Sequence, residues 1–225
     1  MNLQQSVERI SSGLEEASLA GPVSAATSLS SELKVRTAAL HREIESLLGL
    51  PGVIRTRANY IRWLTYLFGY YEPLERNCLK FSDQGSDFLA PAKRSHNARI
   101  ANDLSVLGIN ANLVPRAASA QLPDLPDFAH TLGAHYVLEG AGLGGRVIGR
   151  EVLARIGNPI AGATSFFCPG GEAVGPAWKS FQAAMDDFGR ARPQHFEDVI
   201  IGAQRTFCTM MAWFAPHCSS GGRLS

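Results

Sequence analysis

Apolar residues recur at three- and four-residue steps over most of the chain and almost nowhere alternate with polar ones. In "SSELKVRTAALHREIESLLGLPG" the stripe is Leu33, Thr37, Leu40, Ile44, Leu47 and Leu48. Ser31 is placed as an N-cap, and Gly49 with Pro51 ends the run. A second helix is predicted from about Arg57 to Lys80 on the stripe Tyr60, Leu64, Leu67, Phe68, Tyr71 and Leu74, with Pro73 expected to kink it. "RSHNARIANDLSVLG" predicts a third, stopped by Gly108. The fourth, over "LPDFAHTLGAHYVLEGAGLGGRVIGREVLARIG", is long, capped by Asp124 or Asp127 and stopped by Gly157-Asn158-Pro159. "GPAWKSFQAAMDDFG" gives a fifth. A sixth, "RPQHFEDVIIGAQRTFCTMMAWF", has Pro193 near its start and Phe196, Val199, Ile200, Ala203, Phe207 and Met210 on one face.

No segment carries a strand signal, so the chain predicts an all-α, single-domain helical bundle over residues 31–216. Residues 1–30, rich in Ser, Ala and Gly with one amphipathic piece around Val7–Leu19, are expected to be a flexible N-terminal extension, and 217–225 a C-terminal tail.

The fourth helix contains an anomaly. "EGAGLGGRVIG", residues 139–149, holds five glycines, each costing ~1 kcal/mol relative to alanine in a helix interior. Gly140, Gly142 and Gly145 match G-x-G-x-x-G, but that fingerprint needs a preceding strand and an acidic residue ~20 positions on. The segment before it has helical spacing, and "GATSFFCPGG" near residue 165 holds no carboxylate, so the nucleotide reading fails. Two readings remain: close packing of helix on helix, or a helix face kept bare for a large flat ligand.

Composition narrows the classes. A formal net charge of +1 among 225 residues provides no field to draw the protein to nucleic acid or an anionic membrane. No apolar run reaches the ~18 residues of a membrane span, and "MNLQQSVERISSGLEE" lacks the features of a secretory signal. Cys78, Cys168, Cys208 and Cys218 have no C-x-x-C spacing and are expected to be reduced thiols of a cytoplasmic protein.

On the first helix, Lys34, His41 and Glu45 fall within ~40° of one another at the flank of the apolar stripe. Glu45, one turn after His41, is placed to accept from the imidazole, the arrangement that fixes the tautomer of a metal-ligating histidine. Lys34 lies ~10 Å back along the axis, where it could meet an acidic edge of a flat ligand. The plainer alternative is a half-buried polar histidine beside a stripe.

"LKVRTAALHREIE" resembles the proximal-helix motif of haem oxygenases, roughly L-x-x-x-T-x-x-x-H-x-x-x-E. "YVLEGAGLGGRVIG" resembles their distal helix, especially in the bacterial branch that often accompanies bacteriophytochromes, and "RIANDLSVLG" and the last two helices also fit that branch. The resemblance covers residues 31–215. It implies haem as cofactor and substrate, held between a proximal and a glycine-rich distal helix. His41 is then the axial ligand to iron, Glu45 orients it, and Lys34 pairs with a propionate. Gly140, Gly144 and Gly145 lie over the distal face, Tyr136 projects into the pocket, and Phe207 packs on the macrocycle. Lys179 or Arg205 holds the second propionate.

In the animal-type enzymes an Asp of the distal motif orders the waters that protonate bound oxygen; here Ala141 stands at that position. Arg146, Tyr136 and His135 are the candidate donors in its place, and His41, Gly144, Gly145 and Arg146 form the catalytic set. The implied activity is oxidative ring opening of haem to biliverdin, with release of carbon monoxide and ferrous iron. It uses O2 and an external donor such as a ferredoxin or flavin reductase, since no flavin or iron–sulfur motif is present. A bacteriophytochrome is the implied acceptor of biliverdin. A non-catalytic haem-binding or sensing protein, and a haem-free helical scaffold, are the readings from other classes.

Overall fold

The computed structural model describes residues 27–84, 95–168 and 174–218. Among them stand six α-helices and no strand: α1 (Leu29–Leu48), α2 (Arg57–Cys78), α3 (His96–Val106), α4 (Phe128–Ile156), α5 (Val174–Ala191) and α6 (Phe196–Cys218). The all-α class and the six helices read from periodicity are those of the structure. The amphipathic piece around Val7–Leu19 lies outside the described residues.

Two boundaries differ from the sequence reading. Ser28, not Ser31, caps α1: its extended backbone lets the side chain accept from Ser31 N–H. The earlier start has a tertiary cause. Leu29 and Ser30 are buried, and Ser30 donates through its backbone N–H (2.8 Å) and hydroxyl (3.0 Å) to Asp186 of α5. At the other end, α6 runs through Pro216 to Cys218. In α2 the helix likewise continues past Pro73, then tightens into a 3-10 turn over Leu79–Gln84. Asp127 is the cap of α4, accepting from His130 N–H.

The central pair is α4 and α6, the most extensively packed helices of the fold, and α1 also lies along α6. The two central backbones meet at glycines. A Cβ on Gly133 would stand 2.1 Å from the Val199 carbonyl oxygen, and one on Gly202 would stand 2.1 Å from that of His130. Around this crossing are buried Leu132, Val199, Ile200, Ala203 and Phe214. The α2 stripe expected from the sequence, Tyr60 through Leu74, is wholly buried against the rest.

Arg36 of α1 grips Glu197 of α6 through two nitrogens, and Gln204 of α6 donates to the Arg36 carbonyl. By contrast α1 and α4 scarcely touch each other. Each rides on α6, leaving a slot between them.

Gly202→Ala places a methyl inside the van der Waals envelope of the His130 backbone. Overpacking of this kind costs about 1–3 kcal/mol or more. Denaturant unfolding of the ligand-free protein should show that loss, and unchanged stability would mean the helices do not cross in contact at this residue.

Candidate functional site

The slot is built from α1 and α4 as walls and α6 beneath them. On α1 the apolar stripe turns Leu33, Thr37 and Ile44 inward, which leaves Lys34, His41 and Glu45 on the exposed flank. His41 keeps 55% of its side chain accessible, and its Nδ1 stands 3.5 Å from Glu45 Oε2. The Phe207 ring, buried on α6, meets the His41 ring edge-on with centroids 6.1 Å apart. An imidazole braced by an aromatic edge, with a carboxylate one turn away, has a set orientation and an accessible face.

Tyr136 of α4 closes one end. Its hydroxyl is hydrogen-bonded to Thr37 of α1. Since Thr37 spends its own proton on the Leu33 carbonyl, 2.7 Å away, Tyr136 is the donor. Burial pushes the Tyr136 phenol up from its ordinary value, so it stays protonated and keeps donating. Its ring leans on Trp178 of α5, centroids 5.5 Å apart. One bridge therefore fixes three helices. His41 follows Thr37 by one turn, and Gly140 and Gly144 follow Tyr136 by one and two turns.

The five glycines divide between the two readings left open by the sequence. A Cβ on Gly144 or Gly142 would meet nothing within 4 Å, and one on Gly140 only the far edge of Trp178 at 3.7 Å. Gly145 and Gly149 face inward instead. A Cβ on Gly149 would stand 2.6 Å from Cys168 Sγ and 2.7 Å from Phe167 Cβ. That packing is against the turn after α4, not against another helix. The turn is held by Asp103 of α3, whose carboxylate accepts from Ser165 N–H, the Ser165 hydroxyl and Phe166 N–H at 2.7–2.9 Å. So the distal helix is clamped on one side and bare on the other. Leu143 and Val147, 40% and 53% exposed, extend the bare side with apolar surface.

A family model described as heme oxygenase matches residues 27–216, while no curated protein matches the chain. The chain belongs to the haem oxygenase family.

The remaining residues singled out from the sequence are spread around the slot. Lys34 and Lys179 are exposed on α1 and α5. Arg205 is engaged elsewhere, donating to the Asp124 carbonyl and carboxylate. Arg146 is exposed in an open groove with Leu143, Val147, Arg150 and the start of α5. Ala141 is exposed and offers no polar group. His135 lines a different cavity, with Glu75, Cys78 and Thr131.

Sequence reasoning missed Thr37 as a tether, Trp178 as a brace and the Asp103 clamp. It also missed Glu139, a carboxylate turned inward immediately before Gly140. Its position in "YVLEG", among apolar neighbours, was the available signal. All four free cysteines are described, with Cys78 buried, its thiol pushed up to about 12 by burial, and the others half-buried. No described helix is long and apolar enough to cross a membrane.

The two kinds of glycine should separate in ligand-free protein. Gly144→Ala should be neutral or stabilise by up to ~1 kcal/mol, since it removes only backbone entropy. Gly149→Ala should lose about 1–3 kcal/mol through its collision with Phe167 and Cys168. Thermal melts of both variants beside wild type make the comparison, and equal shifts would contradict the clamped-and-bare division.

Proposed function

We propose that this haem oxygenase binds haem in the slot between α1 and α4 and opens its ring to biliverdin, releasing carbon monoxide and ferrous iron. One observation carries the reading. Beyond the same Tyr136–Thr37 bridge, one wall offers an accessible, braced imidazole and the other an unfilled glycine face. A flat aromatic ligand with a metal at its centre needs both.

Bound haem supplies the iron and the oxidisable ring; positioning and proton handling fall to the protein. His41 is the axial ligand through Nε2. Glu45 accepts at Nδ1–H, selects that tautomer and raises the ring's basicity. A neutral imidazole does not push O–O cleavage as a thiolate does, which suits a reaction that needs the O–O bond intact until the ring is attacked. Phe207 limits rotation of the His41 ring. Lys34 and Lys179 hold the propionates, Arg205 being tied to Asp124. Gly140 and Gly144 let the helix backbone lie on the distal face, with Leu143 beside them, and Gly145 and Arg146 complete the catalytic set of that helix. Tyr136 keeps the helices at the separation the ring requires. O2 is the co-substrate, an external donor such as a ferredoxin or flavin reductase provides electrons, and a bacteriophytochrome is the acceptor of the pigment.

A non-catalytic haem-binding protein of the same fold is the second reading. It is favoured by Ala141, which leaves the distal motif without its usual carboxylate. Titration with haemin followed by ascorbate in air separates the two. Ring opening replaces the Soret band by biliverdin absorbance, whereas a non-catalytic binder retains its band.

His41→Ala should abolish the low-spin, strong-field spectrum of the haemin complex and all turnover. An unchanged Soret spectrum would remove His41 as the ligand. Gly144→Leu should fold at least as stably as wild type and lose most of its haem affinity, because the isobutyl group takes space required by the ring. A folded Gly144→Leu protein that binds haemin as tightly as wild type would place the ligand elsewhere.

A further inference from the structure

Directly behind the bare stretch of α4 lies a buried group of titratable side chains that the proposed mechanism leaves unused. Glu75 comes from α2, His96 from α3 and Glu139 from α4. His96 is 6% exposed, and its Nε2 stands 3.6 Å from Glu139 Oε1, just beyond hydrogen-bond length. The side chain of Glu139 is 15% accessible. Glu75 accepts from the backbone N–H groups of His96 (2.9 Å) and Asn97 (3.3 Å), capping α3. The His96 ring is held edge-on by Tyr71 and Phe166. The titratable groups facing the cluster are Tyr71 and Cys78 beside Glu75 on α2, and His135 with Glu139 on α4.

Charge arithmetic constrains this group. Two carboxylates and one imidazole in low dielectric are best balanced at net zero, with the imidazole charged and one carboxyl carrying a proton. The acidity of Glu75 agrees. Burial raises its carboxyl above the ordinary range, His96 and the two N–H groups pull it back, and Glu139 pushes it up again. Glu75 also has an outside connection. It lines a cavity of about 100 Å3 with Ser82, Ser95, Asn97, Thr131 and His135, room for about three waters at their share of liquid volume. The cluster thus has a polar inlet at one end and, at the other, the residue preceding Gly140.

Resting on the haem-oxygenase reading above, we propose that Glu75, His96 and Glu139 form a buried proton store, filled through this cavity, that supplies the distal face of the slot in place of the carboxylate absent at Ala141. In one delivery an O–H bond of the Glu139 carboxyl breaks and its proton joins a water at the distal face. His96 Nε2–H returns a proton to Glu139, and Glu75 restores His96 with one taken from the cavity water. No electron moves, and the net change is one proton carried from cavity to slot. Glu139 and His96 act through water, so they are positioning and proton-holding residues that do not touch the ring.

Glu139→Gln tests the store in two ways, with His96→Gln as a second variant should the first not fold. In ligand-free protein with 13C-labelled glutamate carboxyls, the Glu75 titration should move down in Glu139→Gln, because a like charge is removed. In His96→Gln it should move up, because an opposite charge is removed. An unmoved Glu75 in a folded variant overturns the shared proton. In haemin-loaded protein with ascorbate and air, wild type should open the ring at a rate nearly level between pH 6 and 8. Either variant should be slower by about a hundredfold at pH 8, the lower range for loss of a general acid, and recover towards pH 6 as bulk protons substitute. A variant profile parallel to wild type overturns the delivery role even if Glu75 moves. If wild-type protein gives no Soret band, the haem reading itself falls and takes this inference with it; a Soret band with parallel profiles removes the proton store alone.

Discussion

The contact of α4 with α6 at Gly133 and Gly202 sets the geometry on which everything else rests. At that crossing the two backbones approach within the distance a single methyl would occupy. Because α1 is fastened to the same α6 by Arg36, Glu197 and Gln204, the separation of α1 from α4 is decided indirectly, by how deeply each seats on a common neighbour. The Tyr136–Thr37 hydrogen bond then fixes the one place where the two walls meet. A slot made this way has a defined width without direct packing across it, which a removable planar ligand requires.

The glycine-rich stretch of α4 illustrates how one sequence feature can satisfy two unrelated constraints. Gly149, and less tightly Gly145, admit the turn carrying Phe167 and Cys168, which Asp103 holds in place from α3. Gly140, Gly142 and Gly144 admit nothing from the protein. Their cost in helix propensity, several kcal/mol in total, is offset on the clamped side by burial and is left uncompensated on the bare side of the ligand-free chain.

Most of the fold was legible because helix periodicity is a local property. The stripes of α1, α2 and α6 mark the buried faces, and the stop at Gly157-Asn158-Pro159 is where α4 ends. The α1 start was misjudged because Ser28, Ser30 and Ser31 are chemically equivalent caps. What selects Ser28 is Asp186, more than 150 residues away. His41, Glu45 and the exposed glycines were visible as pattern, since each is defined by its place on one helix. Pairings across helices were not: Tyr136 with Thr37, His96 with Glu139 and Asp103 with the 165–166 turn join residues whose sequence neighbourhoods say nothing about each other.

The weakness of the bare stretch also bears on time scales. Amide exchange reports local opening, and helix segments with low propensity and one solvated face open at a fraction of the global unfolding free energy. Between Gly140 and Gly144 the backbone amides should therefore exchange well before those of Leu132 or Ala134, which lie at the buried crossing of the same helix. A roof that opens locally while its foundation stays closed gives a bulky ligand a way in and out that does not require the bundle to unfold.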